Sequence, residues 1–131
     1  MASFQVDDDQ VEILLPDGSR ELKKSDAILD QLQVFTQTFT PDGSLSSRYN
    51  PSGLFGYTTF DAIRFFESVS ITKAEKGIPD ILYKLYRYVI VVDHFSNELT
   101  LFYHSLAGEA NSSDEKALDR LQQIIYSNKI A

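Results

Sequence analysis

Apolar and polar residues alternate through the first part of the chain, a pattern typical of strands with one buried face. The apolar positions stand two apart on either side of three aspartates: Phe4, Val6, Val11, Ile13 and Leu15. The pattern predicts a β-hairpin that turns at Asp7–Asp9. Pro16–Ser19 has the composition of a second turn, because proline presets φ and Gly18 accepts a positive φ. A short third strand is expected over Arg20–Lys24.

Apolar spacing of three and four residues predicts helices on either side of the central segment. The first helix is expected to run to about Thr38, with Ser25 or Asp26 as its cap. Its apolar face is formed by Ile28, Leu29, Leu32, Phe35 and Phe39. Ser112 and Glu115 have the spacing of a capping box at the start of the last helix. The apolar face of that helix is formed by Leu118, Leu121, Ile124 and Ile125.

The central segment predicts an aromatic strand, a short helix and a β-hairpin. The aromatic strand covers Leu54–Phe60, and the helix follows at once over Asp61–Glu67. A long strand is expected over Ile81–Val92, and its apolar Val89–Val92 end predicts a central position covered on both faces. Leu99–Tyr103 is its expected antiparallel partner. The chain is therefore predicted to be α+β, a mainly antiparallel sheet with about three helices packed on it.

Composition narrows the class of protein. The chain has 131 residues, which fits one domain, and its 43% hydrophobic content favours a packed core over disorder. It has no cysteine, which excludes disulfides and thiolate metal sites. The sequence has neither a signal peptide nor an apolar run of membrane-spanning length, so we expect a cytoplasmic protein with no membrane partner.

The net charge of −7 argues against a nucleic-acid partner, because such binding depends on basic side chains that neutralise phosphates. Tyr83–Tyr88 alternates aromatic and basic residues and is the one local exception. A stacking surface for bases is one interpretation of this segment. The solvated edge of a strand is the favoured interpretation, since the chain has no second basic patch.

Few residues are suited to catalysis. His94 and His104 are the only histidines, and neither belongs to a recognisable nucleophile or metal motif. Asp93 precedes His94 at a strand end, where its carboxylate is expected to hold the turn backbone. The aspartate triplet Asp7–Asp9 suggests either a cation site or a solvated turn, and the second is favoured because the spacing of an EF-hand loop is missing.

Asp61, Arg64 and Glu67 form either a binding cluster beside the Gly53–Gly56 turn or a helix surface with local ion pairs. The second interpretation is favoured, because residues three or four apart on a helix pair readily. Gly53 and Gly56 lack the third glycine of a dinucleotide loop. We therefore predict no catalytic, cofactor-binding or metal-binding residue in this chain.

Two motifs in the central segment resemble anthranilate synthase component I. Gly53–Tyr57 followed by Phe60–Glu67 is similar to the string G-L-x-G-Y-x-x-Y-D-x-V-R-x-F-E of that family. Pro79-Asp80, Leu85-Tyr86 and Val89–His94 are similar to the family's later P-D…L-Y-x-x-V-V-V-x-D-H stretch. The motif residues that we single out are Gly53, Gly56, Tyr57, Asp61, Arg64, Glu67, Asp93 and His94.

The resemblance implies a full-length parent that is a carbon–oxygen lyase of tryptophan biosynthesis. Such an enzyme converts chorismate and ammonia to anthranilate and pyruvate, uses Mg²⁺, and receives its ammonia from a glutamine amidotransferase subunit, component II. The family's chorismate and Mg²⁺ residues lie in a carboxy-terminal domain that these residues do not include. We therefore expect residues 1–131 to be a partial amino-terminal domain, a regulatory and scaffold portion truncated from a larger two-domain enzyme. Alone it is expected to bind no cofactor and to be inactive.

Two alternatives remain open. Aminodeoxychorismate synthase component I, of the folate pathway, has a similar pattern, and the Arg64–Glu67 ending favours the tryptophan pathway. A self-contained, non-catalytic interaction module is the alternative from another class.

In a truncated domain, an apolar sheet face or edge is expected to lie uncovered, which predicts self-association of the isolated chain.

Overall fold

The computed structural model describes residues 1–41, 48–72, 77–107 and 112–127, without the side chains of residues 112–115. The chain divides into two compact units, Met1–Tyr86 and Arg87–Ala131. Strands and helices occur in both units.

The first unit is built on a five-stranded antiparallel sheet. Its strands are β1 (Ala2–Asp7), β2 (Gln10–Leu14), β3 (Arg20–Lys24), β4 (Phe55–Thr58) and β5 (Ile81–Leu85). They lie in the order β3-β2-β1-β5-β4, so β1 is central and β3 and β4 form the edges. The predicted hairpin and the predicted third strand are confirmed. The aromatic strand is shorter than expected.

One face of this sheet holds the core of the unit. In the β1–β2 ladder, Phe4 lies opposite Ile13 and Val6 lies opposite Val11, as the alternation predicts. Helix α1 (Ile28–Gln37) packs on this face, with the Phe35 ring centroid 5.7 Å from that of Phe4. The buried apolar side chains are Ala2, Phe4, Val6, Val11, Ile13, Ile28, Phe35, Ala62 and Ile81.

Helix α1 begins differently from the prediction. Its N-cap is Ala27, in a left-handed conformation with φ of 48°, and no side chain caps the helix. The predicted cap by Ser25 or Asp26 is wrong, because the left-handed turn at Ala27 places the start of the helix after both residues. The Gln31 amide instead donates to the carbonyl oxygens of Lys24 (2.9 Å) and Asp26 (2.5 Å), which ties α1 to the end of β3.

The short helix after β4 is a 3-10 helix over Phe60–Phe65, where Asp61–Glu67 was expected to be helical. Ala62 is fully buried and joins the core, and Asp61 is 9% exposed. The element therefore inserts into the unit, whereas a solvated helix surface was expected.

The second unit contains a two-stranded antiparallel sheet and a helix. Strands β6 (Tyr88–Asp93) and β7 (Glu98–Tyr103) pair from Tyr88 opposite Tyr103 to Asp93 opposite Glu98. Helix α2 covers Ser112–Tyr126. Leu118, Leu121 and Ile125 of its predicted apolar face are half-buried, and Ile124 is exposed. The predicted capping box depends on the side chains of Ser112 and Glu115, which lie outside the described part of the chain.

The single long strand predicted over Ile81–Val92 is wrong, because β5 and β6 belong to different sheets. β5 ends where its antiparallel neighbours begin. Leu85 lies opposite Ala2, the first residue of β1, and Lys84 lies opposite Phe55, the first residue of β4. The expected burial of Val89–Val92 on both faces is also wrong. Ile90 and Val92 are 48% and 52% exposed.

The fold class is confirmed as α+β, with antiparallel strands, two α-helices and one 3-10 helix among the described residues. In that part of the chain, none of the helices combines the length and apolar character needed to cross a membrane.

Candidate functional site

Arg64 of the 3-10 helix forms a partly buried ion pair with Asp80, the residue before β5. Nη2 lies 2.6 Å from Oδ2 and Nη1 lies 3.2 Å from Oδ1, so the contact is bidentate. The Asp80 side chain is 2% exposed and that of Arg64 is 19% exposed. Nη1 also donates to the carbonyl oxygen of Asp61 at 3.1 Å, and the guanidinium lies 4.3 Å from the Phe65 ring centroid. These contacts fix the guanidinium on several sides.

Asp80 also connects three segments through hydrogen bonds to backbone groups. Its N–H donates to the carbonyl of Val6, and its own carbonyl accepts from the N–H of Thr59, both at 2.8 Å. Its Oδ2 accepts from the N–H of Asp8 at 3.2 Å. The ends of β1 and β4 and the start of β5 are therefore held at one residue.

The electrostatics of the pair favour a permanent ion pair. The hydrogen bond to Asp80 raises the pKa of Arg64 above its ordinary value, although burial acts in the opposite direction. A guanidinium is already protonated throughout the physiological range, so it cannot serve as a proton donor and acceptor there. The arrangement can hold a charge and position the backbone, and it is unsuited to general acid–base chemistry.

Carboxylate oxygens of Asp7, Asp8 and Asp80 lie within 4.8 Å of one another, close enough for one cation to contact all three. Asp7, Asp8 and Asp9 are exposed, as predicted for a solvated turn. The positive charge beside the cluster comes from Arg64, whose Nη2 is 2.6 Å from Asp80 and 3.9 Å from Asp8. Because the only buried carboxylate of the three is held by this guanidinium, we assign no metal site here.

The two motif glycines lie in different environments. A Cβ added at Gly53 would meet no atom within 4 Å, whereas one at Gly56 would overlap the Leu82 carbonyl and lie 2.8 Å from the Tyr83 Cα. Gly56 therefore permits the close approach of β4 to β5. Tyr57 lies next to it in β4, opposite Leu82, and is 37% exposed.

Asp61, Arg64 and Glu67 do not form the ion-paired helix surface predicted for them. Arg64 contacts the backbone oxygen of Asp61 and is influenced by the charge of Asp61, while its guanidinium forms ion pairs with Asp80 and Asp8. Glu67 is exposed and lies beyond the end of the 3-10 helix, where its N–H donates to the Ile63 carbonyl. The structure thus separates Glu67 from the Arg64 site.

Asp93 holds the turn between β6 and β7, as predicted. Its Oδ1 accepts from the N–H of Phe95 at 2.8 Å and of Ser96 at 3.4 Å. His94 is exposed in this turn. His104 follows β7, and its N–H donates to the Arg87 carbonyl at 2.7 Å. The two histidines therefore lie on different parts of the hairpin, and no catalytic pair forms between them.

Sequence reasoning missed the importance of Asp80. The residue stands in the Pro79-Asp80 pair directly before a predicted strand, and this position was the available signal. Its partner is 16 residues away in the chain. Local charge spacing favoured Asp61 as the partner of Arg64, and no periodicity in the sequence indicates a contact between residues this far apart.

Comparison with known proteins gives one informative similarity. No family model matches the chain. The chain is 35% identical over 82 residues to anthranilate synthase component 1 of Acinetobacter calcoaceticus. The matched region covers 60% of this chain and 16% of that protein. The chain therefore spans less than a fifth of the length of its relative.

Proposed function

We propose that this chain is an amino-terminal, regulatory and scaffold portion of an enzyme of the anthranilate synthase component I type. The identity of 35% over 82 residues carries the proposal. The local geometry supports it, since Gly56, Arg64 and Asp93 have contacts that hold the backbone in place. Motif residues with such roles suit a scaffold whose chemistry lies in another domain.

The proposed parent enzyme converts chorismate and ammonia to anthranilate and pyruvate. Its Mg²⁺ and its chorismate residues belong to the catalytic domain, and a glutamine amidotransferase supplies the ammonia. Within residues 1–131 the proposed tasks are to fold against that domain and to contribute to regulation. In this assignment the Arg64–Asp80 pair stabilises the fold of the segment and takes no part in catalysis.

A domain graft tests the proposal. The matching segment of the Acinetobacter calcoaceticus protein is replaced by that of this chain, and anthranilate formation from chorismate, ammonia and Mg²⁺ is followed by fluorescence. We expect the graft to retain activity within about tenfold of the parent, a change of roughly 1.4 kcal/mol in the activation barrier. A graft that folds, as judged by circular dichroism, but makes no anthranilate would contradict the proposal.

Two variants of the active graft define the cause of its activity. Arg64→Met in the active graft should abolish it by disrupting the segment, while Glu67→Gln, at an exposed position, should leave it unchanged. A parallel graft into an aminodeoxychorismate synthase tests the folate alternative. Equal or better function there would assign the chain to that pathway.

The isolated chain is expected to show no turnover of chorismate with ammonia and Mg²⁺. The physical reason is that Arg64 and Asp80 form an ion pair with each other, so neither charged group is available to act on chorismate. Anthranilate produced by the purified chain alone would overturn the proposed division of tasks.

A further inference from the structure

A groove lies between helix α1 and the β2–β3 hairpin of the first unit. The ladder places Glu21 opposite Ile13 and Lys23 opposite Val11. Residues directly opposite in an antiparallel pair share a face of the sheet, so Glu21 and Lys23 lie on the face that holds the core. Because both are charged, the apolar core ends at β2, and the space between β3 and α1 is open.

The groove has an apolar floor. Its volume is about 330 Å³, within the range of about 300–1,000 Å³ that is typical of small-molecule sites. Ile13 and Phe35 form the floor and are 5% and 2% exposed, while Leu15 and Val34 have more apolar surface in contact with water. Removing such surface from water stabilises a bound ligand that has a small apolar body.

The charged residues of the groove select the sign of the ligand's charge. Glu21 and Lys23 balance each other in an ion pair, with 2.8 Å between Oε2 and Nζ. Asp30 of α1 also lines the groove and has no ion pair among the described residues. The unbalanced charge of the groove is therefore negative. The net charge of −7 on the whole chain raises the local concentration of cations in the same sense.

Gln31, which also lines the groove, adds an acceptor without a donor. Its Nε2 donates to the carbonyl oxygens of Lys24 and Asp26, at 2.9 Å and 2.5 Å, which fixes the orientation of the amide. Its Oε1 is buried and accepts no hydrogen bond from the described residues. Buried polar atoms are seldom left without a partner. The Asp30 carboxylate and this oxygen together favour a ligand that has N–H groups to donate.

We propose that this groove binds a small organic amine, with its apolar body against Leu15 and Val34 and its ammonium group beside Asp30. A carboxylic acid of the same size would bring a like charge to Asp30 and is disfavoured. All of the lining residues belong to the first unit, and the proposal does not depend on the proposed enzymatic parent.

Titration of the full 131-residue chain with phenethylammonium chloride, followed by NMR of the amide groups at constant ionic strength, tests the proposal. We expect saturable shifts at the amides of α1 and β3, with a dissociation constant of about 1 mM, because so small an amine makes few contacts. Phenylacetate has the same ring and the opposite charge, and it should bind at least about tenfold more weakly.

Two pairs of variants locate the binding site. Asp30→Asn should weaken amine binding about two- to fivefold, whereas Asp26→Asn removes the same charge outside the groove lining and should have little effect. Val34→Ser should weaken binding about threefold or more through lost apolar contact. Leu29→Ser is the matched control on α1, since Leu29 and Val34 are 60% and 62% exposed and only Val34 lines the groove.

The unsubstituted chain decides the question if a variant fails to fold. The proposal is wrong if the amine causes no saturable shifts in α1 and β3, or if phenylacetate binds as tightly as the amine. Equal weakening by the Asp30 and Asp26 variants would assign the attraction to the overall charge of the chain and would also contradict a site in this groove.

Discussion

The units Met1–Tyr86 and Arg87–Ala131 contain similar elements but differ in how those elements are stabilised. In the first, nine apolar side chains are buried between the sheet, α1 and the 3-10 helix. In the second, every described side chain remains at least partly exposed. The hairpin of the second unit has backbone pairing, a Tyr88–Tyr103 ring contact at 5.4 Å and the Asp93 turn. The same kind of substitution should therefore have different costs in the two units.

The largest expected effect separates a buried phenylalanine from an exposed one. Phe4 is fully buried against Phe35, whereas Phe95 is fully exposed in the β6–β7 turn. Phe4→Ala should lower the free energy of unfolding by about 3–5 kcal/mol through lost burial and an unfilled cavity. Phe95→Ala should change it by less than about 0.5 kcal/mol. Urea unfolding followed by circular dichroism measures both, and equal effects would contradict the difference in burial.

The next effect concerns the charge buried in the first unit. Arg64→Met leaves the Asp80 carboxylate, 2% exposed, without the guanidinium that balances it. We expect a loss of about 3 kcal/mol in the free energy of unfolding, since removal of one partner strands a buried charge. The matched control is Glu21→Gln, which breaks an exposed pair with Lys23 and should cost at most about 1 kcal/mol. A cost for Arg64→Met as small as that of the control would show that water screens the buried pair.

The two motif glycines test how closely β4 approaches β5. Alanine at Gly56 would place its Cβ within 2.8 Å of the Tyr83 Cα, so the strands must move apart at a cost of about 1–3 kcal/mol. Alanine at Gly53 meets no neighbour, so its effect should stay within about 0.5 kcal/mol. Chemical denaturation of the two variants gives the comparison. Similar costs at both positions would refute the close approach.

The elements that were predictable from sequence are those set by neighbouring residues. The alternation of Phe4, Val6, Val11 and Ile13 determines which side chains share a face, and the structure pairs them accordingly. Asp93 was expected to hold its turn, and it contacts amides only two and three residues away.

The errors arose where distant parts of the chain decide the outcome. β5 stops at Leu85, where its antiparallel neighbours β1 and β4 have their first residues. The apolar run through Val92 does not reveal this limit. The main partner of Arg64 was not predicted, because Asp61 is near in sequence, whereas Asp80 is brought close by the β4–β5 pairing. The left-handed Ala27 shifted the helix start past both expected caps.

A smaller effect is expected in the second unit, at the Asp93 turn. Asp93→Ala removes the acceptor for the N–H groups of Phe95 and Ser96, which should cost about 1 kcal/mol. His94→Ala alters an exposed neighbour in the same turn and should have little effect. Amide exchange at Phe95 should accelerate in the first variant alone. Acceleration in both variants would assign the turn's stability to more than the Asp93 carboxylate.

The smallest expected effect is a pH response of the turn between β2 and β3 in the first unit. Hydrogen bonds from the Ser19 hydroxyl and the Ser19 N–H lower the pKa of Asp17 below its ordinary value of 3.8. A lowered folded-state pKa means that the ionised carboxylate stabilises the turn. That contribution is complete above pH 3.8 and is lost as the pH falls through the folded-state pKa.

An NMR titration of the Asp17 carboxyl should therefore give a midpoint below 3.8, and Ser19→Ala should move it upward toward that value. The N–H of residue 19 remains in this variant, so part of the lowering should persist. A midpoint that Ser19→Ala leaves unchanged would exclude the hydroxyl as the main cause. Because Asp17 is fully exposed, the response should stay local to the turn and leave the buried core of the first unit intact.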